Sequence, residues 1–148
     1  MTVDALAAGK RMGEHSNWQL SNLAMQKLLY IAHMYHLGLH GDPLVFGVFE
    51  AWEYGPVHPS LYHEVKTFGA DPVQDIFGSV PSIEEGTESD LLDAAVDQLS
   101  KSTARLVAIT HWEKGAWAKC YRSGVRGISI PNDAILKEYQ ARMSEPQQ

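Results

Sequence analysis

The chain has 148 residues, a formal net charge of −6 and a single cysteine, Cys120. This length suits one domain able to bury a core without metal or disulfide support, and a lone cysteine excludes an internal disulfide and fits a reducing cytoplasm. No apolar run reaches the ~18 residues of a membrane span, and Lys10-Arg11 lies behind the apolar part of the N-terminus, the wrong charge order for a secretory leader.

In chain order, Val3, Leu6, Ala7 and Met12 predict a short helix over 2–12, closed by the polar break Gly13-Glu14-His15-Ser16-Asn17. Ser21 is an N-cap candidate for a helix to about Leu39, ended by Gly41 and Pro43. Leu20, Leu23, Ala24, Leu28, Ala32, Tyr35 and Leu39 make one apolar stripe, with Met25, Leu29 and His36 on a second flank. A helix apolar over so much of its circumference belongs at the centre of a fold. Gln26, Lys27 and His33 mark the narrow polar face that remains, and with Glu50 they are expected to form a buried structural polar network.

Val45 to Tyr54 reads as short extended segments bent at Gly47, and Gly55-Pro56 as a turn. Pro59 suits the first turn of a helix over 59–68 with Leu61, Tyr62, Val65 and Phe68 inward, stopped by Gly69. Residues 70–87, with Pro72, Gly78, Pro81 and Gly86, read as an irregular, mobile surface excursion. Helices are expected over 88–101 and 104–111, a brief one through Tyr121, an extended piece at Ile128 and Ile130, and a last helix from Pro131 or Asn132 through Met143. The tail from Ser144 is expected to fray. The fold class is therefore α+β and predominantly helical: a single compact domain, 1–148, with a central buried helix and a small β element.

Chemistry is weakly signalled. His33, His36 and His40 at i, i+3 and i+7, with His58 or His63, could offer nitrogen ligands to a metal, but no carboxylate or cysteine completes a motif. Ser60 or Cys120 with His58 or His111 lacks a local nucleophile motif. Glu50 and Glu53 have opposite strand parity and make no acid pair, and glycines occur singly, without a phosphate-cradling loop. No catalytic residue, metal or cofactor is assigned.

Charge and aromatics point toward partners. Residues 84–97 hold six acids and no Lys or Arg, while 101–126 hold six Lys and Arg against Glu113. Such opposed fields are either two solvated helix faces or a device that orients a protein partner, and the overall acidity disfavours nucleic acid. The candidate partner-binding residues are Tyr54, His58, Tyr62 and Trp112, helped by Arg105, Arg122 and Arg126. Trp117 reads as core.

Several segments occur in a telling order: Ser21-Asn22-Leu23, Gln26-Lys27-Leu28-Leu29-Tyr30 and His33; Pro43-Leu44, Glu50-Ala51-Trp52, Gly55-Pro56-Val57 and Tyr62; then Thr110-His111, Trp117 and Ile130-Pro131. Together they resemble the SocA-like antitoxins, the family built on the Panacea domain. The resemblance implies a mostly helical α+β domain that binds and neutralises a toxin encoded beside it, without catalysis. Delivery of the toxin to an ATP-dependent protease is the alternative mechanism, with a DNA-binding regulator or a metal-dependent enzyme behind it. Homodimerisation stays open.

Overall fold

The computed structural model of the chain describes residues 1–145. Helix α1 spans Ala5–His15, with the Asp4 side chain accepting from the Leu6 N–H at its start. It ends where Asn17 and Trp18 take left-handed φ values of 57° and 59°, folding the Trp18 ring onto Gly13, where a Cβ would have no room. Helix α2, Asn22–His40, opens with Ser21 accepting from the Ala24 N–H and closes at Gly41, φ 80°. Both caps answer the free backbone groups of helix ends.

Strand β1 (Phe49–Trp52) pairs antiparallel with β2 (Gly55–Val57) on one side and β3 (Ile128–Ile130) on the other. Phe49 and Ala51 are buried, whereas Glu50 and Trp52 face outward, as a period of two requires. Helix α3 covers Pro59–Val65 and runs into a 3-10 turn at Lys66–Phe68. Helices α4 (Thr87–Leu99), α5 (Thr103–Thr110) and α6 (Ala116–Cys120) follow, and α7 spans Asn132–Ser144. The fold is mostly helical with one small antiparallel sheet.

Helix α2 is the hub. It touches α1, α3, α4, α5, α7 and β2, and thirteen of its residues are buried. Tyr30, Leu28, Leu29 and Met34 are sealed from solvent together with Met12, Leu61, Leu92, Leu106 and Ile135 from the surrounding helices. Burial of one such Leu or Met contributes roughly 1.5–3 kcal/mol. Arg11 clamps α1 to α4 and its approach, with both guanidinium amino groups 2.6 Å from carboxylates of Glu85 and Asp93.

Helix α1 starts at Ala5 and runs on through Gly13-Glu14-His15, the residues read from the sequence as its break. The 69–86 connection is mostly exposed, but it is pinned: Val73 and Phe77 are buried, Val73 N–H donates to Leu20 O, and Phe77 stacks on Trp18 at 6.0 Å. Two apolar anchors offset the ordering of a segment rich in Pro and Gly. At the C-terminus, Ser144 is still helical and Glu145 N–H donates to Ala141 O; the remainder of the expected frayed tail lies outside the described residues.

Candidate functional site

The buried polar side chains of α2 reach out to backbone. Gln26 Oε1 accepts the His58 N–H at 2.8 Å, and Lys27 Nζ donates to Pro56 O at 2.9 Å. Between them they hold the β2 edge that no further strand pairs. Lys27 is fully buried without a carboxylate partner, and desolvation lowers its pKa to about 7. Gly55, φ 114°, is required here: a Cβ would sit 3.0 Å from Lys27 Nζ and 3.1 Å from His111 Nε2. His111 stacks on Trp117 at 4.1 Å, Trp117 stacks on Tyr121 at 4.9 Å, and Trp117 Nε1 donates to Trp52 O at 2.7 Å. The hairpin is thus gripped by α2 from one side and by an aromatic stack from the other.

His33 lies at the other end of the sheet. Its Nε2 is 2.9 Å from Asn132 Oδ1 and its Nδ1 accepts the Val45 N–H. Nδ1 as acceptor leaves the proton on Nε2, and burial lowers the pKa to about 4. Gln26, Lys27 and His33 therefore serve four separate partners, three on the backbone and one side-chain amide, and do not bond to one another. Glu50 does not join them: it faces outward and accepts from Trp52 Nε1 at 2.9 Å, since strand parity carries it away from α2.

The buried network that does form has Glu138 at its centre. One carboxylate oxygen accepts from Tyr30 Oη at 2.6 Å and from the Ala116 N–H at 2.9 Å; the other accepts from Arg142 Nε at 2.8 Å. Arg142 also donates to Ile109 O and lies over the Trp112 ring at 4.6 Å. This hub joins α2, α5, α6 and α7. The sequence reading missed it; its signal is the Glu138/Arg142 pair at i, i+4, a spacing that ordinarily describes a solvated surface pair.

The candidate partner-binding residues are dispersed. Tyr54, 68% exposed, tips the β1–β2 turn, and Tyr62 packs its ring on Trp52 at 4.6 Å. Arg105 on α5 and Arg122 and Arg126 before β3 are exposed, and Trp112 is half covered by Arg142. His58 is the correction. At 2% exposure its Nε2 donates to Phe46 O, because the end of β2 and the start of α3 turn it inward against Phe49. Trp117, expected as core, is half buried, and Trp52 packs its ring on Tyr62. Among the described residues no group of three or more His, Cys, Asp or Glu is placed to hold a metal ion. His36, for example, is committed to Asp42 O at 2.7 Å and faces Glu88.

Two concavities mark the surface. One, about 600 Å3, lies between the N-terminus, α1 and residues 79–85 and is rimmed by Asp4, Glu84, Glu85 and Glu88. The other, about 450 Å3, lies between α2, α4 and α5 with Arg142 of α7 at its edge.

Residues 25–118, from α2 through the Trp117 stack, match the family model described as antitoxin SocA-like, Panacea domain. The chain belongs to the SocA-like antitoxin family. It is 38% identical over 113 residues to Antitoxin SocA of Caulobacter vibrioides (strain NA1000 / CB15N), a match covering 66% of this chain and 58% of that protein. The chain thus matches somewhat more than half the length of this SocA-like relative. No solved structure matches it significantly. The SocA-like match contains the whole hairpin joint, Gln26, Lys27, Gly55-Pro56 and His111, whose side chains are spent on holding the fold together.

Proposed function

We propose that this protein neutralises a toxin encoded beside it by direct, stoichiometric binding in the cytoplasm, without turnover. Its place in the SocA-like family carries this reading. The physical support is that Gln26, Lys27 and His33 are each hydrogen-bonded inside the fold, while exposed aromatic and basic side chains such as Tyr54, Arg105 and Arg122 are left to meet a partner. Among the described residues no helix is long and apolar enough to cross a membrane.

The test is co-expression with the neighbouring gene product. Growth rescue, copurification, and neutralisation that saturates at a fixed molar ratio are expected. Neutralisation by catalytic amounts would overturn the binding reading. A toxin half-life that shortens only when an ATP-dependent protease is present would replace simple blocking with protease delivery.

A further inference from the structure

We propose that the groove between α2, α4 and α5 is the seat of an amphipathic helix of the toxin, one with an apolar face flanked by an acidic side chain. This assignment rests on the toxin-neutralising reading above and adds the place and the chemistry of the contact.

Shape comes first. The groove is lined by small side chains, Ala32 of α2 with Ala94 and Ala95 of α4, and by larger apolar ones, Ile31, Met34, Leu91 and Ile109 among them. Small residues among larger ones let a helix approach closely, while an apolar lining receives apolar side chains spaced at i, i+3/i+4 and i+7. The volume, about 450 Å3, accepts a short row of such side chains but not a folded domain.

Charge supplies the second half. Two guanidinium groups edge the groove, and they differ. Arg142 is already neutralised by Glu138, 2.7 Å away, and is further held by Ile109 O and Trp112. Arg105 is exposed, and among the described residues it forms no ion pair. Lys101, at the α4–α5 corner, is likewise exposed and without an ion pair there. An apolar groove edged by an uncompensated cation, Arg105, complements a helix carrying Asp or Glu beside its apolar face. Arg105 then acts in orientation and encounter, and the apolar groove in affinity.

Two substitutions and one cross-link test this in the full-length chain. Arg105→Glu reverses an exposed, unpaired charge, and Ala94→Phe fills the groove from a half-exposed position; circular dichroism and thermal melts check that both fold. With wild-type protein binding the purified neighbour-encoded toxin, each variant is expected to weaken binding at least tenfold. The Arg105→Glu loss should shrink as salt is raised. A photo-cross-linker at Ala94 should trap a toxin peptide with apolar residues at helical spacing and an adjacent acid. Wild-type binding with both variants within about twofold would overturn the groove while leaving neutralisation standing. A cross-link to a second copy of this chain, to a toxin loop or strand, or to nothing would also overturn it. Absence of any wild-type binding would overturn both readings together.

Discussion

Replacing Lys27 with Met isolates the least ordinary group in the molecule. The Lys27 amine is sealed from solvent, donates only to Pro56 O, and has a pKa lowered from 10.5 to about 7 by desolvation. Between pH 7 and 10.5 the unfolded chain holds this proton and the folded chain does not, so unfolding takes up a proton and stability rises with pH. Below pH 7 both states are protonated and the slope vanishes. Each unit of separation is worth about 1.36 kcal/mol, so wild-type protein should gain roughly 2–3 kcal/mol between pH 7 and pH 9 from this group. His33, His58 and His111, all lowered from 6.5, contribute their slopes below this window, and Tyr30, raised well above 10, contributes above it. Lys27→Met keeps most of the side-chain volume but removes the proton, at a loss of the Pro56 hydrogen bond of about 1 kcal/mol. The assay is urea unfolding of both proteins at half-unit steps from pH 6.5 to 9.5. The difference between them should drift in favour of wild type by ~2–3 kcal/mol across the window. Parallel curves, within about 0.5 kcal/mol, would refute the assignment of a neutralised buried amine.

Other outcomes follow from the same geometry. Glu138→Leu strands the Tyr30 hydroxyl and the Ala116 N–H, at about 1–3 kcal/mol for each buried donor, and should lower the melting midpoint by roughly 10 °C; a loss below 1 kcal/mol would mean that water takes the carboxylate's place. Gly38→Ala, normally favourable within a helix, should destabilise by ~1–3 kcal/mol because the Tyr139 ring occupies the Cβ position. Combining it with Tyr139→Ala should turn the Gly38→Ala increment favourable, as chemical denaturation can show. The His33 ring, with a pKa lowered to about 4, should remain neutral at pH 5.5 by NMR titration. Its share of stability is complete above 6.5 and declines as pH falls toward 4, because the unfolded chain then binds the proton first. A titration midpoint near 6.5 would contradict the burial of the ring.

Much of the fold was legible because its signals are local. The Ser21 cap, the Gly41 stop, the apolar circumference of α2 and the start of α7 after Pro131 each depend on neighbours within a few residues. The 69–86 connection is irregular and mostly exposed, as its turn residues indicate, but its two buried anchors, Val73 and Phe77, weigh little in such a composition. The candidate site was less legible. Tyr54 and Arg105 are exposed, but His58 turns inward, and the groove between α2, α4 and α5 is not contiguous in sequence.

By itself the sequence determined the helices, their caps, the two-residue alternation of β1 and, through the order of its motifs, the likeness to SocA-like antitoxins. These follow from backbone geometry and periodicity, which act over one or two turns. Only the tertiary structure decided how the polar groups are used. It separated Glu50 from Gln26, Lys27 and His33, made Glu138 a buried hub for three other elements, and left Arg105 unpaired at the rim of a groove. Burial and pairing depend on which distant surfaces meet, so the chemical state of an ionisable side chain is a property of the packed molecule and not of its place in the chain.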